Sequence, residues 1–152
     1  MPLLIKRLHD DAMLPVRKSD GAAGYDMYSD QEVVLPPLMS VSSDENSSTS
    51  RATLVSTGIA MTVPEGTYGQ LAPRSGLAVK GIHVGAGVID ADYTGEVKVL
   101  LFNLSNKEIV LGKHERIAQL ILKKIETPDV EEVQELGVTD RGDHGFGSTG
   151  KC

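Results

Sequence analysis

Cysteine is almost absent from this chain of 152 residues, and tryptophan is missing altogether. The single cysteine is Cys152, so no disulfide framework and no internal thiol nucleophile are available. Long hydrophobic runs are also missing, because Lys6 and Arg7 interrupt the apolar start and no later segment reaches the length of a membrane span. We therefore expect a soluble, intracellular protein without disulfides or a membrane partner.

Positive charge is in deficit as well. Fifteen lysines and arginines stand against 21 acidic residues, which gives a formal net charge of −6. This balance argues against nonspecific attraction to a nucleic-acid backbone or an anionic membrane. An anionic ligand would have to find a local cationic pocket. A chain of this length most simply forms one domain.

Long helical patterns are lacking too, whereas short apolar runs alternate with turn residues throughout. This pattern predicts an all-β sandwich or barrel. Residues 53–63 alternate at period two as a half-buried strand does, and Gly58 within them indicates a β-bulge. Segments 97–104 and 116–125 are apolar on both faces, which predicts strands in the middle of the sandwich. Shorter strands are expected at residues 4–8, 32–35, 68–72 and 108–111.

Two segments have too little apolar content for packed strands. Residues 38–51 are dominated by serine, threonine and acidic side chains, which indicates a solvated loop. Residues 137–152 form a glycine-rich tail that we expect to be flexible in the free protein. The tail also contains one aromatic residue, Phe146, between two glycines. A tail that is only solvated does not require an aromatic side chain at this position.

Residues 73–81, PRSGLAVKG, combine a turn with a possible short helix. With Ser75 as the N-cap, the free backbone N–H groups of such a helix attract phosphate, and Arg74 would add a cation. The alternative, which this segment alone favours, is an ordinary helix cap beside a solvated arginine. The tail offers a second possible phosphate site, since Arg141, glycine N–H groups and two hydroxyls could wrap a polyphosphate. A low-complexity terminus is the alternative there.

Residues 87–97, GVIDADYTGEV, suggest a hairpin centred on Asp92. That register would place Ala86 opposite Lys98 and Gly87 opposite Val97, with small residues leaving peptide groups open to a planar ligand. Asp90 at the turn could orient and deprotonate a water. The alternative is a turn in which the aspartates cap their own backbone while Tyr93 packs on a neighbour.

Two polar side chains interrupt otherwise apolar strands. Asp26 follows small residues in AAGYDMYS and could solvate a metal or serve as a paired structural carboxylate. Gln119 interrupts IAQLIL, so its amide either bonds within the core or faces a phosphate or water. The four histidines are isolated in sequence, and we assign none of them to a metal.

The segments AGYDMYS, PRSGLA, GVIDADYTGEV, RIAQL and the glycine-rich GFGSTG follow one another between residues 23 and 150. In this order the chain resembles the trimeric all-β dUTPases, and the resemblance extends over nearly its whole length. It implies a jelly-roll homotrimer whose three active sites lie at subunit interfaces. It also implies Mg²⁺-dependent hydrolysis of dUTP to dUMP and pyrophosphate, with a β domain at residues 1–136 and an arm at 137–152 that closes over an active site.

The resemblance further implies residue roles. Asp90 positions the water that attacks the α-phosphorus, and Tyr93 stacks on deoxyribose and excludes a 2′-hydroxyl. The residues around the uracil are Gly87, Val88, Ile89 and Lys98. The phosphate and water contacts are Arg74, Ser75, Gly76 and Gln119, of which Arg74 and Gln119 also assist catalysis. Asp26 holds Mg²⁺ through water. The lid over base and γ-phosphate comprises Arg141, Phe146, Gly147, Ser148 and Thr149.

One motif departs from the family pattern. Where a Gly-Asp-Arg turn is usual, this chain has His114, Glu115 and Arg116. Histidine tolerates a positive φ better than a branched residue, so we expect the turn to survive. Two alternatives to dUTP hydrolysis remain open here. They are a dCTP deaminase of the same general fold and a noncatalytic protein that senses nucleotide.

Overall fold

The computed structural model of the chain describes residues 1–38 and 52–147. Nearly all of the expected loop at 38–51 and the last five residues of the tail, Ser148 and Thr149 among them, lie outside the described residues. The elements in chain order are β1 (Leu4–Arg7), β2 (Tyr25–Tyr28), β3 (Val33–Leu35), β4 (Thr53–Thr62), β5 (Thr67–Ala72), α1 (Ser75–Ala78), β6 (Ile82–Gly85), β7 (Val88–Ile89), β8 (Glu96–Asn103), β9 (Ile109–Leu111) and β10 (Arg116–Lys124).

The strands confirm the all-β prediction. One antiparallel sheet has the order β1-β4-β8-β6, a second has the order β2-β10-β5-β7, and β3 pairs with β9 in a small third sheet. The shorter strands that the sequence predicts all form within a residue or two of their expected ends. Within the described residues, no helix is long and apolar enough to cross a membrane.

A single hydrophobic core joins the sheets. Val99 on β8, Leu120 on β10 and Leu35 on β3 are completely buried, and they belong to one cluster to which every sheet contributes. Full burial of an aliphatic side chain stabilises a fold by about 1.5–3 kcal/mol. The shared core therefore holds the strands that carry the site in fixed relative positions.

The bulge predicted at Gly58 is confirmed. The pairing of β4 with β8 shifts between Ser56 and Ala60, and Gly58 has a φ of 71°. A Cβ at this position would lie 2.7 Å from Nε2 of His9 and 2.8 Å from Oδ1 of Asp30. Glycine is therefore required both by the left-handed backbone and by the close approach of these side chains.

The two long apolar segments occupy inner strands, as predicted, but they are not buried on both faces throughout. Along β8 the buried Val97 and Val99 alternate with exposed Lys98 and half-buried Leu100. The prediction of burial on both faces was wrong for β8, because its apolar outer residues lie on the sheet surface rather than in the core of this chain. In β10 a register irregularity lets adjacent Ile117 and Ala118 both be buried.

His9 is isolated in sequence but not in the fold. Its Nδ1 lies 2.5 Å from Asp11 and its Nε2 lies 2.7 Å from Asp30, while Lys113 pairs with the second oxygen of Asp11. The three ligand-type residues lie close enough together to hold a cation. However, both ring nitrogens already face carboxylates and Lys113 already supplies a positive charge, so the geometry is that of an ion-pair chain.

The ion-pair chain perturbs the pKa values of its members. Hydrogen bonding to Asp30 and Asp11 raises the pKa of His9 above its usual 6.5. Hydrogen bonding first to Lys113 and then to His9 lowers the pKa of Asp11 from 3.8 to about 2. Stabilisation from His9 is therefore complete below pH 6.5 and is lost as the pH rises through the raised value. Stabilisation from Asp11 is complete above pH 3.8 and is lost as the pH falls toward 2.

We predict that His9→Gln destabilises the protein most between pH 3.8 and pH 6.5, where both charged groups contribute fully. The free energy of unfolding is measured in urea across the pH range, at one protein concentration, for parent and variant. The difference between them should shrink as the pH rises beyond the folded pKa of His9. His83→Gln, which replaces an exposed histidine on β6, is the matched control. A His9→Gln difference that does not vary with pH contradicts the prediction.

Candidate functional site

The chain changes sheets between β6 and β7. Strand β6 pairs with β8 as far as Gly85 opposite Leu100, whereas β7 pairs with β5, with Val88 opposite Gln70. The predicted hairpin centred on Asp92 is therefore wrong in two respects. Its register is off by one residue, and its arms separate before the turn instead of pairing up to it.

Two left-handed residues cause the separation. Ala86 and Gly87 have φ values of 52° and 96°, so the backbone bends away from β8 immediately after Gly85. The carbonyl of Gly87 then accepts a hydrogen bond of 2.7 Å from the N–H of Leu71. A Cβ at Gly87 would lie 2.8 Å from the carbonyl oxygen of Leu71, so glycine is needed for this close approach.

A cleft of about 330 Å³ opens where the strands part. One wall is the backbone from Ala86 to Ile89, and the other is the start of β8 at Val97 and Lys98. Among the described strands, the ladder between β6 and β8 stops at Leu100, so β8 presents an unpaired edge to the cleft. The peptide groups that face the cleft are therefore open to a flat polar ligand, although the register that exposes them differs from the predicted one, and their recognition of a ligand stays a prediction.

Asp90 and Tyr93 line the same cleft and are joined by a turn. The N–H of Tyr93 donates to the carbonyl of Asp90 at 3.1 Å, and the Tyr93 hydroxyl donates to the carbonyl of Glu96 at 2.7 Å. The carboxylate of Asp90 is exposed, and among the described residues it forms no ion pair. It is therefore free to accept a proton from water.

A second group of polar residues surrounds Arg74. This arginine has extended backbone angles and is itself the N-cap of α1, and Ser75 is the first helical residue. The prediction that Ser75 is the N-cap is therefore wrong, and no side-chain hydrogen bond caps the helix. Ser75 and Gly76 are exposed, so their backbone N–H groups and the hydroxyl remain open to a ligand.

Asp26 lies between two guanidinium groups. Its Oδ1 is 3.6 Å from Nε of Arg74, and its Oδ2 is 3.5 Å from Nη1 of Arg116. Gln119, the cross-strand partner of Asp26, donates from Nε2 to the carbonyl of Pro73 at 2.9 Å and so holds the residue before Arg74. The structure thus brings Asp26, Gln119 and Arg74 together and adds Arg116, a cation to which the sequence analysis gave no role.

The turn before Arg116 adopts the expected shape. His114 has a φ of 61°, and the Glu115 carboxylate accepts a hydrogen bond of 2.7 Å from the N–H of Gly112. The histidine therefore occupies the left-handed position where glycine is usual in the family. Glu115 closes the turn with its side chain, and this leaves Arg116 directed toward Asp26. The partner of Arg116, Asp26, lies on a strand that is distant in sequence, so no periodic pattern along the chain indicates this pairing.

The two groups of residues lie at opposite ends of β5. Asp90 lines a cleft with Gly66 and Thr67 at the start of β5, whereas Arg74 follows its end at Ala72. Five residues of extended strand span about 16 Å. One chain therefore does not bring the carboxylate of Asp90 next to the Arg74 group.

The tail beyond β10 contains no strand in its described part, which reaches residue 147. Arg141 donates from Nε to the carbonyl of His144 at 2.7 Å within a turn, and the Phe146 side chain is fully exposed. Gly147 has a φ of 80°, and Ser148 and Thr149 lie outside the described residues. Neither Arg141 nor Phe146 contacts the cleft residues through a hydrogen bond or an ion pair within the described part of this chain.

Comparison with known proteins gives consistent matches. The dUTPase family model matches residues 10–150. The chain is 52% identical over 149 residues to the deoxyuridine 5′-triphosphate nucleotidohydrolase of Paramecium bursaria Chlorella virus 1, covering 97% of each chain. It is 49% identical to the enzyme of the same name from Oryza sativa subsp. japonica, covering 98% of this chain and 81% of that one. The dUTPase of Staphylococcus bacteriophage 80alpha, solved with dUPNHPP, superposes with a TM-score of 0.84 at 30% identity and 99% coverage of both chains.

We predict that Ala86→Val closes the cleft. A β-branched residue at positive φ costs about 1–3 kcal/mol, so the strand separation becomes unfavourable. Binding of dUPNHPP, measured by calorimetry, should weaken about 5- to 160-fold, the range that corresponds to this cost. Ala86→Gly is the matched control and should bind as the parent does, because glycine adopts a φ of 52° freely. Equal affinity of the valine variant and the parent would contradict the role given to this bend.

Proposed function

This chain belongs to the dUTPase family and hydrolyses dUTP to dUMP and pyrophosphate, and we propose that Asp90 activates the attacking water. The observation that supports this role is the cleft between β7 and the edge of β8, which has the free carboxylate of Asp90 in its wall. A nucleotide whose base is bound in this cleft would have its α-phosphorus near the wall that carries the carboxylate. A water held by that carboxylate would then be within reach of the phosphorus. Asp90 would take the proton of that water as its oxygen attacks.

We infer that the peptide groups of Gly87, Val88 and Ile89, with Lys98 opposite, recognise the uracil. Uracil presents carbonyl acceptors and a ring N–H donor, which match the donors and acceptors along a strand edge. Cytosine would leave buried main-chain groups unpaired, and a dry polar site can discriminate against such a loss by ~10⁴ or more. Close packing of the base beside the buried Gly87 would also exclude the methyl group of thymine.

The ring of Tyr93 is assigned to the sugar. The ring lines the cleft next to Asp90 and is 47% exposed, so one face is available to a ligand. An aromatic ring packed against deoxyribose leaves no room for a 2′-hydroxyl, and any ribose that entered would force the hydroxyl against apolar carbon. The same turn would therefore position both Asp90, the general base, and Tyr93, the side chain that excludes ribose.

We assign the phosphates to the group around Arg74. Its guanidinium, the Ser75 hydroxyl and the N–H of Gly76 offer donors to phosphate oxygens, and Gln119 supports their backbone. The carboxylate of Asp26 fits Mg²⁺ as a partner through water, because both arginine contacts exceed ordinary hydrogen-bond length and leave its lone pairs accessible. A bound Mg²⁺ supplies neutralisation of triphosphate charge. Within this chain, Arg74 would offset charge on the phosphates, and Gln119 would fix the position of Arg74.

We further propose a homotrimer with shared active sites. Asp90 lies beside the start of β5 and Arg74 follows its end, so a complete site would need the Asp90 group of one subunit and the Arg74 group of another. The outer face of the β4–β8 pair carries exposed Leu54 next to half-buried Leu100 and Phe102, which gives an apolar surface for such assembly. The arm at 137–152, with Arg141, Phe146, Gly147, Ser148 and Thr149, would then close over a neighbouring site as a lid.

The competing functions have less support. A dCTP deaminase or a noncatalytic sensor does not account for the family match over residues 10–150 together with an unpaired Asp90 in the cleft wall. An intracellular location remains part of the proposal, and it is supported by the single cysteine in the whole chain.

We predict that Asp90→Asn lowers kcat for dUTP by ~10²–10⁴, because a general base contributes about that much. The affinity for dUPNHPP should change less than ~3-fold, since the amide fills the same space. Pyrophosphate release is measured from dUTP, dTTP, dCTP and UTP, with release from dUTP expected to dominate in the parent. Asp92→Asn, an exposed aspartate in the same turn, is the control. Parental turnover by Asp90→Asn would exclude Asp90 as the base.

We also predict that two inactive variants restore activity when their subunits are mixed. In a site shared by two chains, Asp90→Asn and Arg74→Ala damage different contributions, so some mixed sites receive both intact residues. Random assembly of equal amounts of the two variants leaves about a quarter of the sites intact. Subunits are unfolded together, refolded and assayed, and each variant refolded alone is the control. No recovery in mixed trimers would show that each chain forms its own complete site.

A further inference from the structure

Gly95 lies against the ring of Tyr93. A Cβ on Gly95 would be 2.7 Å from the tyrosine hydroxyl oxygen, 2.8 Å from Cζ and 3.0 Å from Cε2. Carbon atoms in proteins do not pack this closely, so the ring occupies the volume that any side chain at position 95 would need. The ring of Tyr93 therefore lies across the backbone of Gly95.

The far end of the ring is fixed by a hydrogen bond. The Tyr93 hydroxyl donates to the carbonyl of Glu96 at 2.7 Å, and Glu96 is the first residue of β8. The Glu96 carboxylate in turn accepts a hydrogen bond of 3.2 Å from the N–H of Gly58 at the bulge in β4. The hydroxyl is thus tied to backbone that is anchored within the sheet.

The backbone of Gly95 does not itself require glycine. The left-handed glycines of the described chain are elsewhere, Gly87 and Gly58 among them, and Gly95 is not one of them. Gly95 is also exposed, and the nearest atoms to its would-be Cβ all belong to the movable end of one side chain. An alanine here would therefore fold normally and displace the ring.

We propose that Gly95 and the Glu96 carbonyl are positioning elements that hold the Tyr93 ring against the sugar and thereby set the preference for deoxyribose over ribose. This inference rests on the proposed function, in which Tyr93 excludes the 2′-hydroxyl. A ring pushed outward by a Cβ at position 95 leaves space beside the sugar. The ribose nucleotide then loses its steric penalty while the deoxyribose nucleotide loses its packing.

The test compares kcat/KM for dUTP with kcat/KM for UTP. In Gly95→Ala the ratio should fall at least ~10-fold, with KM for dUTP rising more than kcat falls, because packing is lost while Asp90 stays in place. Gly21→Ala is the matched control, since a Cβ at Gly21 meets nothing within 4 Å, and its ratio should equal the parent's. A parental ratio in Gly95→Ala overturns the inference.

A double-mutant cycle separates positioning through the ring from other effects. If Gly95 acts only through the ring, Gly95→Ala has no further effect on the ratio in a Tyr93→Ala background. Additive effects of the two substitutions overturn the inference. A parental ratio in Tyr93→Ala alone would instead overturn the sugar-gate role of Tyr93 in the proposed function. The two failures are therefore distinguishable.

The part played by the Glu96 carbonyl is tested by Tyr93→Phe. This variant keeps the ring and removes the hydroxyl, so it loses one hydrogen bond without disturbing the fold. The ratio should fall about 3–10-fold, as expected for one hydrogen bond. A parental ratio in Tyr93→Phe overturns the role of the carbonyl. A thermal unfolding temperature close to the parent's is expected for every variant in the series.

Discussion

The bend at Ala86 and Gly87 is the constraint on which the site depends. Two consecutive left-handed residues take the chain out of one sheet and into the other, so β8 keeps an unpaired edge and the turn carrying Asp90 stands beside it. Had the ladder continued to the turn, the peptide groups of both strands would have satisfied each other and no cleft would exist. In the proposed function, recognition would arise from hydrogen bonds that the sheet leaves unmade.

The same bend keeps the Asp90 group apart from the Arg74 group within one chain. Once β7 pairs with β5, Asp90 is carried to the start of β5 while the Arg74 group lies beyond its end. Between these two positions β5 itself spans about 16 Å. In the proposed homotrimer, assembly would therefore follow from the sheet pairing, and the half-buried Leu100 and Phe102 on the outer face of β8 would give it an apolar surface.

Local features of the fold could be predicted from the sequence. The alternation in β4 and the bulge at Gly58 are visible because they depend on neighbours along the chain. The register around Asp92 could not be predicted, since the residues of β7 alternate equally well against β5 or β8 and only tertiary packing decides between them. The ion-pair chain of His9 and the role of Arg116 were missed for a similar reason. Their partners are distant in sequence, and periodicity carries no information about them.

The net negative charge of the chain and its proposed triphosphate ligand are reconciled by Asp26. Two guanidinium groups on one surface repel each other, and their repulsion would drive Arg74 and Arg116 apart in the absence of ligand. The carboxylate between them, 3.5–3.6 Å from each, offsets that repulsion. These long contacts are weak enough for phosphate oxygens to compete for the arginines. A single half-buried acid can thus maintain a local cationic surface on an acidic protein and still leave both cations available to an anion.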